Sequence, residues 1–221
     1  MLRLVLASRS PARLATLRAA GVEPVVRVSD VDEVAVLNAA NERFGEIDPA
    51  DAVLVLAQAK AEEVARVLDS ADSADPDGAQ DADLLVGCDS MLELDGAVLG
   101  KPDDADDARA RWRAMRGRAG VLHTGHWLID LRDVDADGTG ATLGATSSTT
   151  VHFADLSDEE IDAYVATGEP LEVAGAFTVD GLGGPYVERI EGDHHGVVGI
   201  SLPLLRELLG EVDVRWHELR G

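Results

Sequence analysis

Apolar residues fall in short blocks whose spacing alternates between a strand-like and a helix-like period. LRLVLA, positions 2–7, is a near-continuous apolar run of the kind that forms a buried strand. Ser10-Pro11 then starts a helix with proline in its first turn, running through about Ala20 and closing at Gly21. Val25 to Val28 predicts a second strand that leads into the acidic SDVDE. Asp48-Pro49 opens another helix, with apolar residues at helical spacing through LVLAQAKAEEVARVL.

That helix gives way to DSADSADPDGAQDAD, residues 69–83, which has nothing to bury and reads as an exposed loop or local insertion. DLLVGC is a strand, and the Asp95-Gly96 pair between MLEL and AVLG predicts a tight hairpin. KPDDADDARARWRAMRG has acids in its first turn, arginines in its last and Gly117 at its stop, so its arginine cluster is explained by the helix dipole. Two long strands, VLHTGHWLIDL and ATSSTTVHF, flank the polar loop VDADGTG. Ser157 to Glu160 is a capping box for a helix, a glycine-rich stretch follows, and LPLLRELLG is a last amphipathic helix. Helices mixed with hairpin-joined strands imply an α/β fold with a mixed sheet, and no internal repeat is visible.

A chain of 221 residues with 46% apolar content can build a substantial core in one large domain or two small ones. No window reaches the roughly 20 apolar residues of a membrane helix, and the N-terminal apolar run is too short for a signal sequence. The expectation is therefore a cytoplasmic protein with no membrane partner. Its single cysteine, Cys88, excludes an intramolecular disulfide. A net charge of −23 argues against nucleic acid as a partner, because phosphate-backbone affinity depends on many lysines and arginines. Most of this acidity reads as solubility or adaptation to salt.

The basic residues are unevenly chosen: 17 arginines against two lysines, Lys60 and Lys101. A chain that writes arginine almost everywhere keeps lysine where a compact ammonium on a flexible stem is needed. LASRSPAR, residues 6–13, is a strand, a polar turn and a helix N-terminus, an arrangement suited to phosphate, with Ser8, Ser10 and Arg13 as added donors. Residues 1–29 hold five arginines and a single acid, Glu23, a positive island in an acidic chain. Asp30, Asp32 and Glu33, together with Asp89 at the end of its strand, form an acidic set suited to a divalent cation held with substrate phosphates. Cys88 reads as a small buried hydrophobe rather than a nucleophile. His123 and His126 point to opposite faces of their strand, and His194-His195 has no third ligand to make a metal site.

Taken in order, LASRSPAR, VDE, AQAKAEEVA, GCDSMLELDGAVLGKP, GRAGVLHTG, FADLSDEEIDAYVATGEPLEVAGAF and VERIEGDHHGVVGISL resemble the Maf family over nearly the whole chain. That family is known as septum formation proteins and understood as nucleoside triphosphate pyrophosphatases. The resemblance implies a single Maf-like domain over residues 1–221, with a mixed, highly twisted sheet flanked by helices and a cleft between two lobes. It implies catalytic roles for Asp89, Glu33, Lys60 and Lys101, Mg²⁺ or Mn²⁺ on Glu33 and Asp89, and phosphate contacts from Ser8 and Arg13. The nucleobase-selecting positions match Ala12, Ser90 and Asp180, which correspond neither to the dTTP/UTP subgroup nor to the 7-methyl-GTP subgroup. The expected substrate is thus a nucleoside triphosphate of unassigned base, including modified or non-canonical ones. The alternative is a nucleotide-binding regulator of cell division without turnover, and the resemblance leaves a monomer or a homodimer open.

Overall fold

The computed structural model describes residues 2–70 and 79–220. A seven-stranded mixed sheet organises it, built from β1 (Leu4–Ala7), β2 (Val25–Arg27), β3 (Leu84–Leu94), β4 (Ala97–Leu99), β5 (Ala119–Asp130), β6 (Thr142–Phe153) and β7 (Val187–Glu191). The strand order is β2-β1-β3-β5-β6-β7, with β4 also pairing to β3. β1 runs parallel to β2 and β3, and every other pairing is antiparallel. The helices are α1 (Pro11–Ala19), α2 (Glu33–Phe44), α3 (Pro49–Leu68), α4 (Ala105–Met115), α5 (Asp158–Ala166), α6 (His194–Val198) and α7 (Leu202–Glu211).

The local signals act as expected at most boundaries. Ser10, Asp48 and Ser157 cap their helices with side-chain oxygens, and Asp104 caps α4, where the sequence shows only acids in the first turn. The Asp95-Gly96 turn closes β3 onto β4 with both residues at positive φ, 53° and 81°, the geometry of a tight type I′ hairpin. Helix α2 is the main element that the spacing analysis passes over. Only Ala40 of EVAVLNAANERF is buried, so the helix shows no strong apolar stripe, although Asp32 caps it and Gly45 stops it. Short β7 and α6 likewise lie inside what reads as a glycine-rich stretch. Of the acidic stretch 69–83, residues 71–78 lie outside the described residues.

Strand β3 carries the feature that places the site. Along one edge it pairs with β5 almost throughout, from Leu84 to Glu93. Along the other edge Leu84 to Gly87 pair with β1, and Leu92 to Leu94 pair with β4. Among the described residues Cys88 to Met91 therefore have no strand partner on that edge, and the sheet is notched there.

Alternation along β3 sorts its side chains between the two faces of the sheet, and position along the strand sorts one face between two cores. Leu84, Val86 and Cys88 join a core with Leu17 of α1 and Leu205 and Leu209 of α7. Further along the same face, Leu92 and Leu94 join a second core built on Trp112, Phe153 and Tyr164. Trp112 meets Phe153 and Tyr164 edge-on at 5.7 and 5.5 Å between ring centroids, contacts that each add about 0.5–1.5 kcal/mol beyond burial. Ser90, between Cys88 and Leu92, is the polar break between these cores. On the opposite face Leu85 packs with Val5, Ala7, Ala61 and Val64 beneath α3.

Helix α3 lies unusually low on that face because glycines face it. A methyl group at Gly87 would run into the carbonyl oxygen of Ala57, one at Gly125 into the backbone of Val53, and one at Gly144 into Trp127 and Leu54. This close docking brings Lys60, one turn beyond Ala57, down to the level of the notch.

Candidate active site

Two hydrogen-bonded sets of side chains meet at the notch, one on each face of β3. The first is an ion-pair chain. Lys60 of α3 places its Nζ 2.5 Å from Asp89 Oδ1 and 2.7 Å from Glu33 Oε1. The side chains of Lys60 and Asp89 are only 14% and 12% exposed, whereas Glu33 is 53% exposed. Glu33 reaches this point from the first turn of α2, where Asp32 spends its carboxylate on the helix cap, accepting from Ala35 N at 3.0 Å. Of the acidic set in SDVDE, Glu33 is thus the member aimed at Lys60.

Burial pushes the Asp89 carboxyl above the usual aspartate range, and the positive charges of Lys60 and Arg13 only partly oppose it. The result is a carboxylate more basic than a surface aspartate, which suits it to accept a proton. If the active form needs Asp89 ionised, the rate rises with pH through this elevated value. Lys60→Met removes the strongest influence holding Asp89 down, so the acid limb of kcat/KM against pH should move to higher pH. A limb that stays in place would show that another group governs it.

The second set centres on Arg13. Its Nε donates to the carbonyl of Gly199 at 2.7 Å, one terminal nitrogen donates to Ser8 Oγ at 3.0 Å and to the Cys88 carbonyl at 2.9 Å, and the other donates to Ser90 Oγ at 3.0 Å. The Cys88 carbonyl lies on the strand edge opened by the notch, so the guanidinium fills the place a strand would have taken. Among the described residues four of the five guanidinium N–H groups are engaged, which leaves one for a ligand. Ser8, at the carboxyl end of β1, accepts from Ser10 N at 3.2 Å, and its own proton is free to point outward. Ser90 also shares a hydrogen bond with Thr124 at 2.9 Å, and buried Thr124 donates to the Gly196 carbonyl at 2.8 Å.

The other expected site residues stand further off. Lys101 is exposed and forms no ion pair among the described residues. It lies two residues past the end of β4, after Gly100, whose carbonyl accepts from Gly175 N at 3.0 Å and from Arg111 at 2.6 Å. Ala12 sits in the first turn of α1, its carbonyl accepting from Thr16 Oγ1 at 2.9 Å. Asp180 is exposed at the rim of a hollow of about 360 Å³, whose walls include Ala15, Thr16 and Ala19 of α1, His194 and Val198. Ala12 lies one turn before that lining.

Several remaining groups are accounted for structurally. Cys88 is fully buried, which pushes its thiol up to about 11 and leaves it unreactive. Buried His126 is held down to about 4, chiefly by burial, and is neutral; its Nε2 accepts from Ser201 N at 2.8 Å. His195 leans on Asp193, the cap of α6, and no cluster of three or more metal-ligating side chains occurs among the described residues. Sequence reasoning misses Thr124, which carries no signal beyond its place one residue before a glycine in a strand. It also misses Glu169, whose carboxylate holds the loop that carries Asp180.

Carboxylates and cations gathered beside the carboxyl end of β1, with β2 on one side of it and β3 on the other, make this an α/β protein with its candidate site at a topological switch point. A family profile described as Maf-like protein matches residues 3–212, and the chain belongs to that family. It is 53% identical over 219 residues, 99% of its length and 96% of the relative's, to a protein of Leifsonia xyli named nucleoside triphosphate pyrophosphatase. Proteins of the same name from Salinispora tropica and Nocardia farcinica are each 55% identical over 213 residues, which is 96% of this chain and 85% and 93% of the relatives. No described helix is long and apolar enough to cross a membrane.

Proposed function

We propose that this chain is a nucleoside triphosphate pyrophosphatase that hydrolyses the bond between the α-phosphorus and the α–β bridging oxygen, releasing a nucleoside monophosphate and pyrophosphate. The observation that carries the reading is the Lys60 ammonium bridging a buried Asp89 and an exposed Glu33 at a break in the sheet, beside the Ser8 and Arg13 turn. The names borne by relatives at more than half identity support the same reaction and lend nothing to the alternative of a regulator without turnover.

In this mechanism Asp89 accepts a proton from the attacking water, and burial makes it a stronger acceptor than a solvated aspartate. Lys60 holds Asp89 in place and places positive charge against the phosphates. Lys101, exposed just past β4, adds a second cation, while the Ser8 hydroxyl and the remaining Arg13 N–H orient phosphate oxygens. Glu33 and Asp89 suit Mg²⁺ or Mn²⁺, because two carboxylates converging on one ammonium make a partial oxygen shell of the kind that phosphate oxygens and water complete. When bound, such an ion would supply charge neutralisation on the phosphates.

Asp180 accepts hydrogen bonds and, ionised, donates none, so it favours a nucleobase that presents N–H groups toward the hollow. Ser90 acts through Arg13, to which it is bonded, and Ala12 leaves room at the start of α1. We place the reaction in the cytoplasm, in keeping with a single buried thiol. Pyrophosphate release should follow addition of mixed nucleoside triphosphates with Mg²⁺ or Mn²⁺, and kcat/KM should differ by at least tenfold across a nucleotide panel. Binding without release would sink the reaction; a flat panel would sink the selectivity.

A further inference from the structure

The loop that carries Asp180 is tied at both ends to one carboxylate. Glu169 Oε1 accepts from Thr178 Oγ1 at 2.6 Å, from Gly183 N at 3.0 Å and from the Tyr164 hydroxyl at 2.9 Å. Its Oε2 accepts from Leu182 N at 2.9 Å. Thr178 precedes Asp180, and Leu182 and Gly183 follow it, so the loop closes on Glu169 like a ring with Asp180 at its outer edge.

The fit is close enough to demand glycine. A methyl group at Gly181 would strike Glu169 Oε2, and one at Gly183 would strike the Tyr164 hydroxyl. Tyr164 is itself packed in the second-lobe core, edge-on to Trp112. The loop is therefore referenced to a rigid part of the second lobe. The facing wall of the hollow, α1, is anchored through Leu14 and Leu17 in the first-lobe core. Where Asp180 stands relative to α1 thus depends on how the loop is held.

We propose that Glu169 is a positioning residue for nucleobase selection, clamping residues 178–183 so that Asp180 is fixed at the mouth of the hollow. This rests on the reading that Asp180 contacts the base. Four donors converge on the Glu169 carboxylate, and only an acceptor with two free oxygens answers all of them. Glu169→Gln keeps the size but turns an NH₂ toward at least one donor, so the ring opens without a cavity being made.

The test measures kcat and KM over a nucleotide panel for wild type, Glu169→Gln, Asp180→Ala and the double variant. For Glu169→Gln, KM for the preferred nucleotide should rise about tenfold, within the range that one pocket contact commands, with kcat changed far less, and the spread across bases should shrink. In the Asp180→Ala background the same substitution should leave selectivity unaltered, since the residue through which Glu169 acts is gone. Should Glu169→Gln fold poorly by thermal melting, Thr178→Val removes one of the four bonds and should move the panel in the same direction. An unchanged panel for Asp180→Ala overturns the base contact and the proposal with it. A changed panel for Asp180→Ala beside a wild-type panel for the clamp variants, or full additivity in the double variant, overturns the clamp alone. Absence of turnover on every nucleotide would instead strike the pyrophosphatase reading, and the same comparison would then be made on dissociation constants.

Discussion

Asp89→Asn is expected to lower kcat for pyrophosphate release by about 10²–10⁴-fold, the usual contribution of a positioned proton acceptor, without loss of folding. The stability side follows from the same burial that makes Asp89 basic. Its carboxyl lies above the aspartate range in the folded chain, so between the ordinary value and the raised one the native state binds more protons than the unfolded state. Stability then falls as pH rises through that window, and at neutral pH the ionised Asp89 weighs against the fold. Asparagine removes that ionisation, and Lys60 keeps Glu33 as a partner at 2.7 Å. The thermal midpoint at neutral pH should equal or exceed that of wild type, and the gap should close as pH drops toward the ordinary aspartate range. Near-normal turnover would remove Asp89 from its role, and an unfolded variant would overturn the stability expectation.

Gly87→Ala should damage stability and activity together. The added methyl meets the backbone carbonyl of Ala57 rather than a flexible side chain, so α3 as a whole must lift. Overpacking of this kind costs about 1–3 kcal/mol, which for a chain of this length lowers the melting midpoint by several degrees. Lys60 lies one turn along the same helix, and lifting α3 draws its ammonium away from Asp89. kcat/KM should fall at least tenfold, although residue 87 touches no substrate. Melting and steady-state kinetics on one preparation check both effects, and wild-type kinetics with a lowered midpoint would separate the helix position from catalysis.

The parts legible in the sequence are those written in local chemistry. The caps at Ser10, Asp48 and Ser157, the Asp-Gly hairpin and the long β5 and β6 strands all follow from a few adjacent residues. The scarcity of lysine singles out Lys60, which sits between Asp89 and Glu33. What was not legible depends on contacts between residues far apart in the chain. Helix α2 buries almost nothing, so no periodicity announces it. Arg13 read as a free phosphate ligand is mostly committed to Gly199, Cys88, Ser8 and Ser90, partners up to 186 positions away. Glu169 looks like any acid beside a proline until the loop it holds has folded against it. The notch in β3 is likewise invisible in one dimension, since nothing in CDSM says that two different strands will stop on either side of it.

That notch has a consequence for how the protein survives at high concentration. Unpaired strand edges invite addition of a strand from another molecule, the first step toward aggregation. Cys88 to Met91 form such an edge, but it is closed at one end by β1 and at the other by β4, and the Cys88 carbonyl is occupied by Arg13. An intruding strand would need length that the gap does not offer. By opening the sheet in its interior rather than at its rim, the chain leaves a gap between β1 and β4 without offering its neighbours a free edge there.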